Sequence, residues 1–148
     1  MKFALRLVGT LGVLAMLGCS SGPEPIAWGV DTCEQCRMIL TDKRFGAELV
    51  DARGRAYKFD GVDELAKFLA AKAIEGKAYV THGAEGALVP AEAAVYLSSP
   101  DIRSPMGGSL MAFADRAEAE AFAGEQGFKD LRWLSYREAV EVPSDAHR

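Results

Sequence analysis

From residue 28 onward the chain reads as short apolar runs broken by polar turns, with two stretches of helical period between them. Arg44 to Val50 and Arg55 to Phe59 flank Asp51-Ala52-Arg53-Gly54, a turn cluster that predicts a hairpin closing on glycine. Val62, Leu65, Phe68 and Leu69 then fall on one helix face, and the pattern stops before Gly76. Asp60 stands where an N-cap carboxylate belongs, and Asp63 adds negative charge to the first turn. Lys77 to His82 reads as another strand. The second half repeats this order. Ala94 to Leu97 and Ser109 to Ala114 read as extended, with Ser98-Ser99-Pro100-Asp101 breaking the chain between them. Asp115 and Glu118 form a D-x-x-E capping box, and the helix carrying Ala117, Ala121 and Phe122 ends near Gly127. Lys129 to Leu134 is a further strand, and Ser135 with Glu138 opens a last short helix. The expected fold is α+β, with two small ββαβ-like halves in one domain over residues 28–141 and a polar tail at 142–148.

The N-terminus follows a different pattern. Lys2 and Arg6 precede the uncharged run Leu7 to Gly18, which is the layout of a secretory signal. That run is shorter than the roughly 20 residues a membrane-spanning helix needs. It ends in Met16-Leu17-Gly18-Cys19-Ser20-Ser21, which looks like a bacterial lipoprotein cleavage box. The expectation is therefore a signal at 1–18, a lipid anchor on the Cys19 thiol and a tether at 19–27. The domain would sit on the bacterial cell envelope, anchored to a membrane and facing the periplasm. A plain cleaved signal would leave Cys19 as a stray thiol, and no A-x-A-like site stands nearby to support it.

Composition narrows the function by exclusion. A formal net charge of −4 over 148 residues leaves nothing to neutralise a run of phosphates, so no nucleic acid is expected. No Ser–His–acid set, phosphate loop or supported carboxylate pair is present, and no enzyme is expected. Asp51, Asp60, Asp63, Glu64, Asp115 and Glu118 fall at turns and helix starts, where capping accounts for them. Three cysteines are too few for a disulfide framework.

The candidate chemistry is sulfur. Asp31-Thr32-Cys33-Glu34-Gln35-Cys36-Arg37-Met38-Ile39 packs two thiols and a thioether into six residues. Thiolate with thioether is the donor set that selects soft Cu(I). Met106, between Pro105 and Gly107-Gly108, is a second thioether on a projecting turn. Met111 and His82 are weaker candidates, because a strand methionine usually packs and a lone histidine is usually a satisfied polar residue. Three rival readings remain open for the C-x-x-C. Structural zinc wants four ligands, and only His82 and His147 remain to add to the pair. A thiol–disulfide oxidoreductase wants the motif to open a helix in a βαβ pattern, which is missing here. A structural disulfide is the blandest reading in an oxidising compartment.

Further segments complete a pattern: Lys58-Phe59-Asp60 entering a helix, Tyr79-Val80-Thr81, Ala93-Ala94-Val95-Tyr96, Pro105-Met106-Gly107 and Met111-Ala112-Phe113-Ala114-Asp115. With the lipoprotein signal and D-x-C-x-x-C-x-M-I, this order resembles the NosL family over nearly all of the mature chain. The resemblance implies a periplasm-facing copper chaperone that binds Cu(I) and serves the copper centres of nitrous oxide reductase through a NosDFY-type ABC complex. It maps the ligands onto the Cys33/Cys36 pair and onto methionine, Met106 first and Met38 next. The segment Thr81 to Leu88 departs from the family, lacking the Asp-Tyr and Trp often found there. Some members also supply a histidine after P-M-G, whereas this chain has none between Met106 and His147. His82 or the second sulfur of the pair would fill that gap.

Overall fold

A computed structural model describes residues 22–83 and 85–141. The signal at 1–18, Cys19 and the tail at 142–148 lie outside the described residues. Strands β1 (Ala47–Asp51), β2 (Ala56–Phe59), β3 (Gly76–His82) and β4 (Ala87–Pro90) form an antiparallel sheet in the order β2-β1-β3-β4. Helix α1 (Val62–Ala71) joins β2 to β3. A 3₁₀ turn at Ala91–Ala93 leads to a second antiparallel sheet of β5 (Val95–Ser98), β6 (Leu110–Phe113) and β7 (Arg132–Leu134), in the order β6-β5-β7. Helix α2 (Arg116–Gln126) joins β6 to β7, and α3 (Tyr136–Glu141) closes the domain against α1. The α+β architecture of two ββαβ units is as expected, with β4 as an unforeseen addition to the first.

Local chemistry explains most boundaries. The Asp51 carboxylate accepts from the backbone N–H groups of Arg53 and Arg55, and Gly54 supplies φ +82, so the first hairpin turns where the sequence placed it. Strand β1 starts at Ala47 rather than Arg44, because Asp42 takes the Arg44 backbone N–H and guanidinium into a turn. Strand β7 starts at Arg132 rather than Lys129, since Asp130 has φ +52. Strand β4 escaped notice because it ends in Pro90, yet it lies on the sheet edge where the missing N–H breaks no ladder. The α2 cap forms as read: the Glu118 N–H donates to Asp115 Oδ1 at 2.9 Å, the Ala114 N–H donates to Glu118 Oε2, and Gly127 ends the helix at φ +68. The α1 cap does not. Gly61 is the N-cap residue and no side chain caps it, so Asp60 has another use.

Alternation on the second sheet builds two cores. Tyr96, Leu110 and Ala112 join Leu49, Phe59, Leu65, Phe68 and Val80 in the larger one. Leu97, Met111 and Phe113, on the opposite face, join Ala119 and Ala123 of α2. The larger core also contains Cys33, fully buried.

The N-terminal strap crosses the start of β1. A Cβ at Gly46 would stand 2.6 Å from Trp28 Cη2 and 3.0 Å from Ile26 Cδ1, so only glycine allows that approach. Glu48 of β1 is also fully buried. Its Oε1 accepts from the Glu24 N–H at 2.8 Å, while its Oε2 has no partner among the described residues. Burial pushes this carboxyl above its usual range. A raised carboxyl favours folding only while protonated, and that contribution is lost as pH rises through its folded value. Glu48→Gln keeps the acceptor and removes the charge, so it should raise Tm by a few degrees at neutral pH. The gain should fade as pH falls to about 4; thermal melts at both pH values check this, and a gain independent of pH contradicts it.

Candidate metal centre

The site is built on a tight loop pinned to the end of β2. Thr32 and Ile39 bridge across the loop, the Cys33 N–H donates to Met38 O at 2.7 Å, and the Arg37 N–H returns to Cys33 O at 3.0 Å. Arg37 completes the turn in the left-handed region at φ +66. The Cys36 N–H points at Cys33 Sγ, 3.4 Å away. Lys58 ties this loop down twice. Its carbonyl accepts the Glu34 N–H at 2.7 Å, and its Nζ donates to Asp31 Oδ2 at 2.8 Å and to Pro25 O.

Asp60, read above as a cap, instead receives the Cys36 thiol on Oδ2 at 3.3 Å. One ligand atom from each of Cys33, Cys36, Asp60 and Glu64 lies within 4.8 Å of the others. Capping therefore does not account for Asp60 and Glu64, nor for Asp63, which is 5% exposed. Asp60 Oδ1 and Asp63 Oδ2 are buried without a hydrogen-bond partner among the described residues. Burial, with Glu64 next in weight, pushes the Asp63 carboxyl up. Glu64 is 2% exposed and paired with Lys67.

The chemistry follows from the donors. Two sulfurs suit a soft monovalent ion, and two sulfurs with two carboxylate oxygens meet the four-ligand count of a borderline ion such as Zn²⁺. Asp60 and Glu64 bring the donor count to four, the number that zinc wants and that the histidines do not supply here. Both cysteines are free thiols, Cys33 buried and Cys36 partly exposed. The Cys36 thiol is pushed up to about 12, by burial first and by its hydrogen bonds to Cys33 and Asp60 next.

The other candidates are placed unequally. Met38 is 53% exposed on the loop itself, and Met106 is 38% exposed on a turn whose Gly108 packs against Asp63. Met111 faces Leu97 and Phe113 in the smaller core, on the side of β6 opposite Leu110 and Ala112, so the structure gives it a packing role. His82 Nδ1 lies 3.2 Å from Glu118 Oε2, joining β3 to α2 and outside the sulfur cluster.

The NosL family profile matches residues 28–135 of the chain. The chain belongs to the NosL family. A curated relative, the copper-binding lipoprotein NosL of Stutzerimonas stutzeri, is 28% identical over 162 residues, spanning 93% of this chain and 85% of that protein. The crystal structure of the copper chaperone NosL from Shewanella denitrificans superposes with a TM-score of 0.65 at 17% identity. It covers 80% of this chain and 95% of that one, and shows that the two share a fold. The matched span contains the whole NosL loop with Cys33 and Cys36, the acidic start of α1 and the P-M-G turn.

A high thiol pKa makes a slow nucleophile. Alkylation of Cys36 by iodoacetamide should therefore be slow at neutral pH and keep rising with pH past the ordinary thiol range. Asp60→Asn removes the facing negative charge and should speed the reaction, as followed by mass spectrometry. A rate that levels off near the pKa of a free thiol contradicts the thiol–carboxylate contact.

Proposed function

We propose that this chain is a copper carrier of the bacterial cell envelope. It is held to a membrane through lipid on Cys19, faces the periplasm and binds Cu(I) through Cys33 and Cys36, with Met106 and Met38 as thioether donors. Its cargo serves the copper centres of nitrous oxide reductase through a NosDFY-type ABC complex. The observation that carries the reading is the meeting of two free thiols, one buried and one partly exposed, in a chain whose relatives are named a copper-binding lipoprotein and a copper chaperone. Thiolate supplies most of the affinity, and neutral thioether adds selectivity without further charge. Met38 and Met106 stand exposed, within reach of an incoming ligand, so the ion passes by ligand exchange with no change in its oxidation state, the thiols releasing protons as it arrives and taking them up as it leaves. A lipid anchor concentrates the carrier beside a membrane partner. Among the described residues no helix is long and apolar enough to cross a membrane.

The competing reading is a thiol–disulfide redox protein or a domain stapled by a disulfide. Cys33, the first cysteine of the motif, is fully buried, which argues against a redox nucleophile that a substrate disulfide must reach.

An anaerobic titration of the reduced protein against a coloured Cu(I) chelator tests the carrier. Cys33→Ser and Cys36→Ser should each lower Cu(I) affinity by roughly tenfold or more, while Asp115→Asn, a helix cap on α2, leaves it unchanged. Met106→Leu keeps bulk and removes sulfur, and should also weaken binding, by roughly tenfold. Equal affinities for all four variants would exclude the proposed ligands. The anchor has its own readout: Cys19→Ala should move the protein from the membrane to the soluble fraction, and unchanged membrane partition refutes lipidation at Cys19.

A further inference from the structure

We propose that Asp63 and Gly108 form the joint that holds the Met106 turn against the sulfur site, which makes both of them positioning residues for the thioether. The inference rests on the reading of Met106 as a copper ligand given above.

The turn is a self-closed unit. The Gly107 N–H donates to Ser104 O at 3.1 Å and the Ser109 N–H donates to Ser104 Oγ at 3.1 Å. Pro105 fixes the second position, Met106 follows, and Gly107 and Ser109 take φ of +77 and +53. Such a unit presents Met106 in a set direction relative to its own backbone. Its place relative to the cysteines is set by the next contact along the chain.

That contact is Gly108. It is buried, and a Cβ there would stand 2.7 Å from Asp63 Oδ2, 2.8 Å from Cγ and 2.9 Å from Cβ, closer than real Cβ atoms come. The Asp63 side chain is in turn backed by Gly61, where a Cβ would overlap Oδ1. Two glycines thus clasp one carboxylate. Asp63 is followed by Glu64, whose carboxylate stands with both sulfurs, so the turn that carries Met106 touches the residue next to the cluster. The Asp63 Oδ2 has no partner among the described residues, and leaving such an atom buried costs free energy. Stability alone does not favour that arrangement. A wedge that spaces the turn from the helix explains it.

The test is a double-mutant cycle on the reduced, detergent-solubilised chain, with Cu(I) affinity as readout. Met106→Leu and Gly108→Ala should each weaken binding by roughly tenfold, and the double variant should be no weaker than either single one. X-ray absorption of the copper-loaded protein should count one sulfur fewer in both single variants. Gly124→Ala, at an exposed helix position where an added Cβ meets nothing within 4 Å, should leave affinity and sulfur count unchanged.

A second pair covers the case in which Gly108→Ala does not fold. Asp63→Asn keeps the wedge and should keep the contribution of Met106, whereas Asp63→Ala removes the wedge and should abolish it. The general effect of lost charge survives in a Met106→Leu background and is separated that way. Wild-type affinity in Gly108→Ala, with Met106→Leu weakened, overturns the joint and leaves the ligand intact. Additive losses in the double variant also overturn the joint. Unchanged binding in Met106→Leu overturns the ligand reading beneath it.

Discussion

Everything at the sulfur site depends on the end of β2 and the residue that follows it, where three consecutive side chains serve three different parts of the protein. Lys58 reaches the strap through Pro25 and Asp31, and its carbonyl holds the loop at Glu34. Phe59 is fully buried against Phe68, which ties the same point of the backbone to α1. Asp60 meets the Cys36 thiol. Pleating allows this, because successive strand residues leave the backbone on opposite sides. A loop with no regular structure is thereby held as firmly as a strand, and its cysteines inherit that order.

The charges at this point are arranged for a cation. Asp60, Asp63 and Glu64 crowd the start of α1, where the helix dipole favours negative charge. Lys67 answers Glu64, while one oxygen each of Asp60 and Asp63 goes unanswered among the described residues. Ionising Cys36 here would add a further negative charge to a dry, already acidic spot. That is why the thiol is held protonated and donates to Asp60. A metal held by the proposed cysteine ligands would reverse the balance, since ligand thiols lose their protons as the ion arrives, and its capture would then be one event with thiol ionisation.

Much of this was legible in the sequence. The order of both halves, the first hairpin turn and the Asp115–Glu118 cap are legible in local patterns, and locality is why the structure forms them as read. Asp60 was not legible as a thiol partner, because an acidic residue before a helix has an ordinary explanation in capping. Only the structure shows that Gly61 takes the N-cap position and frees the carboxylate. Glu64 was hidden for a related reason, as a first-turn carboxylate complements the dipole wherever it points. The strand at Ala87–Pro90 was hidden by its closing proline, which reads as a break until the edge position is known.

The placement of the methionines follows from the second sheet. Both of its faces are taken, one by the larger core and the other by α2, so every residue of β6 is committed to packing. Met111 is committed to the α2 side, and a shift of register by one residue would have turned it toward the side that holds Cys33. A strand so enclosed has no side chain to lend to a metal. The second half can contribute to the sulfur site only through a connection that leaves the sheet, and the turn before β6 is such a connection. It carries its thioether into the open, where Met106 is 38% exposed, and it reaches the first half by backbone contact at a glycine. The division of labour between the halves is therefore a consequence of packing: the first half holds two thiols, one of them buried, and the second offers a sulfur on a turn that its own core does not need.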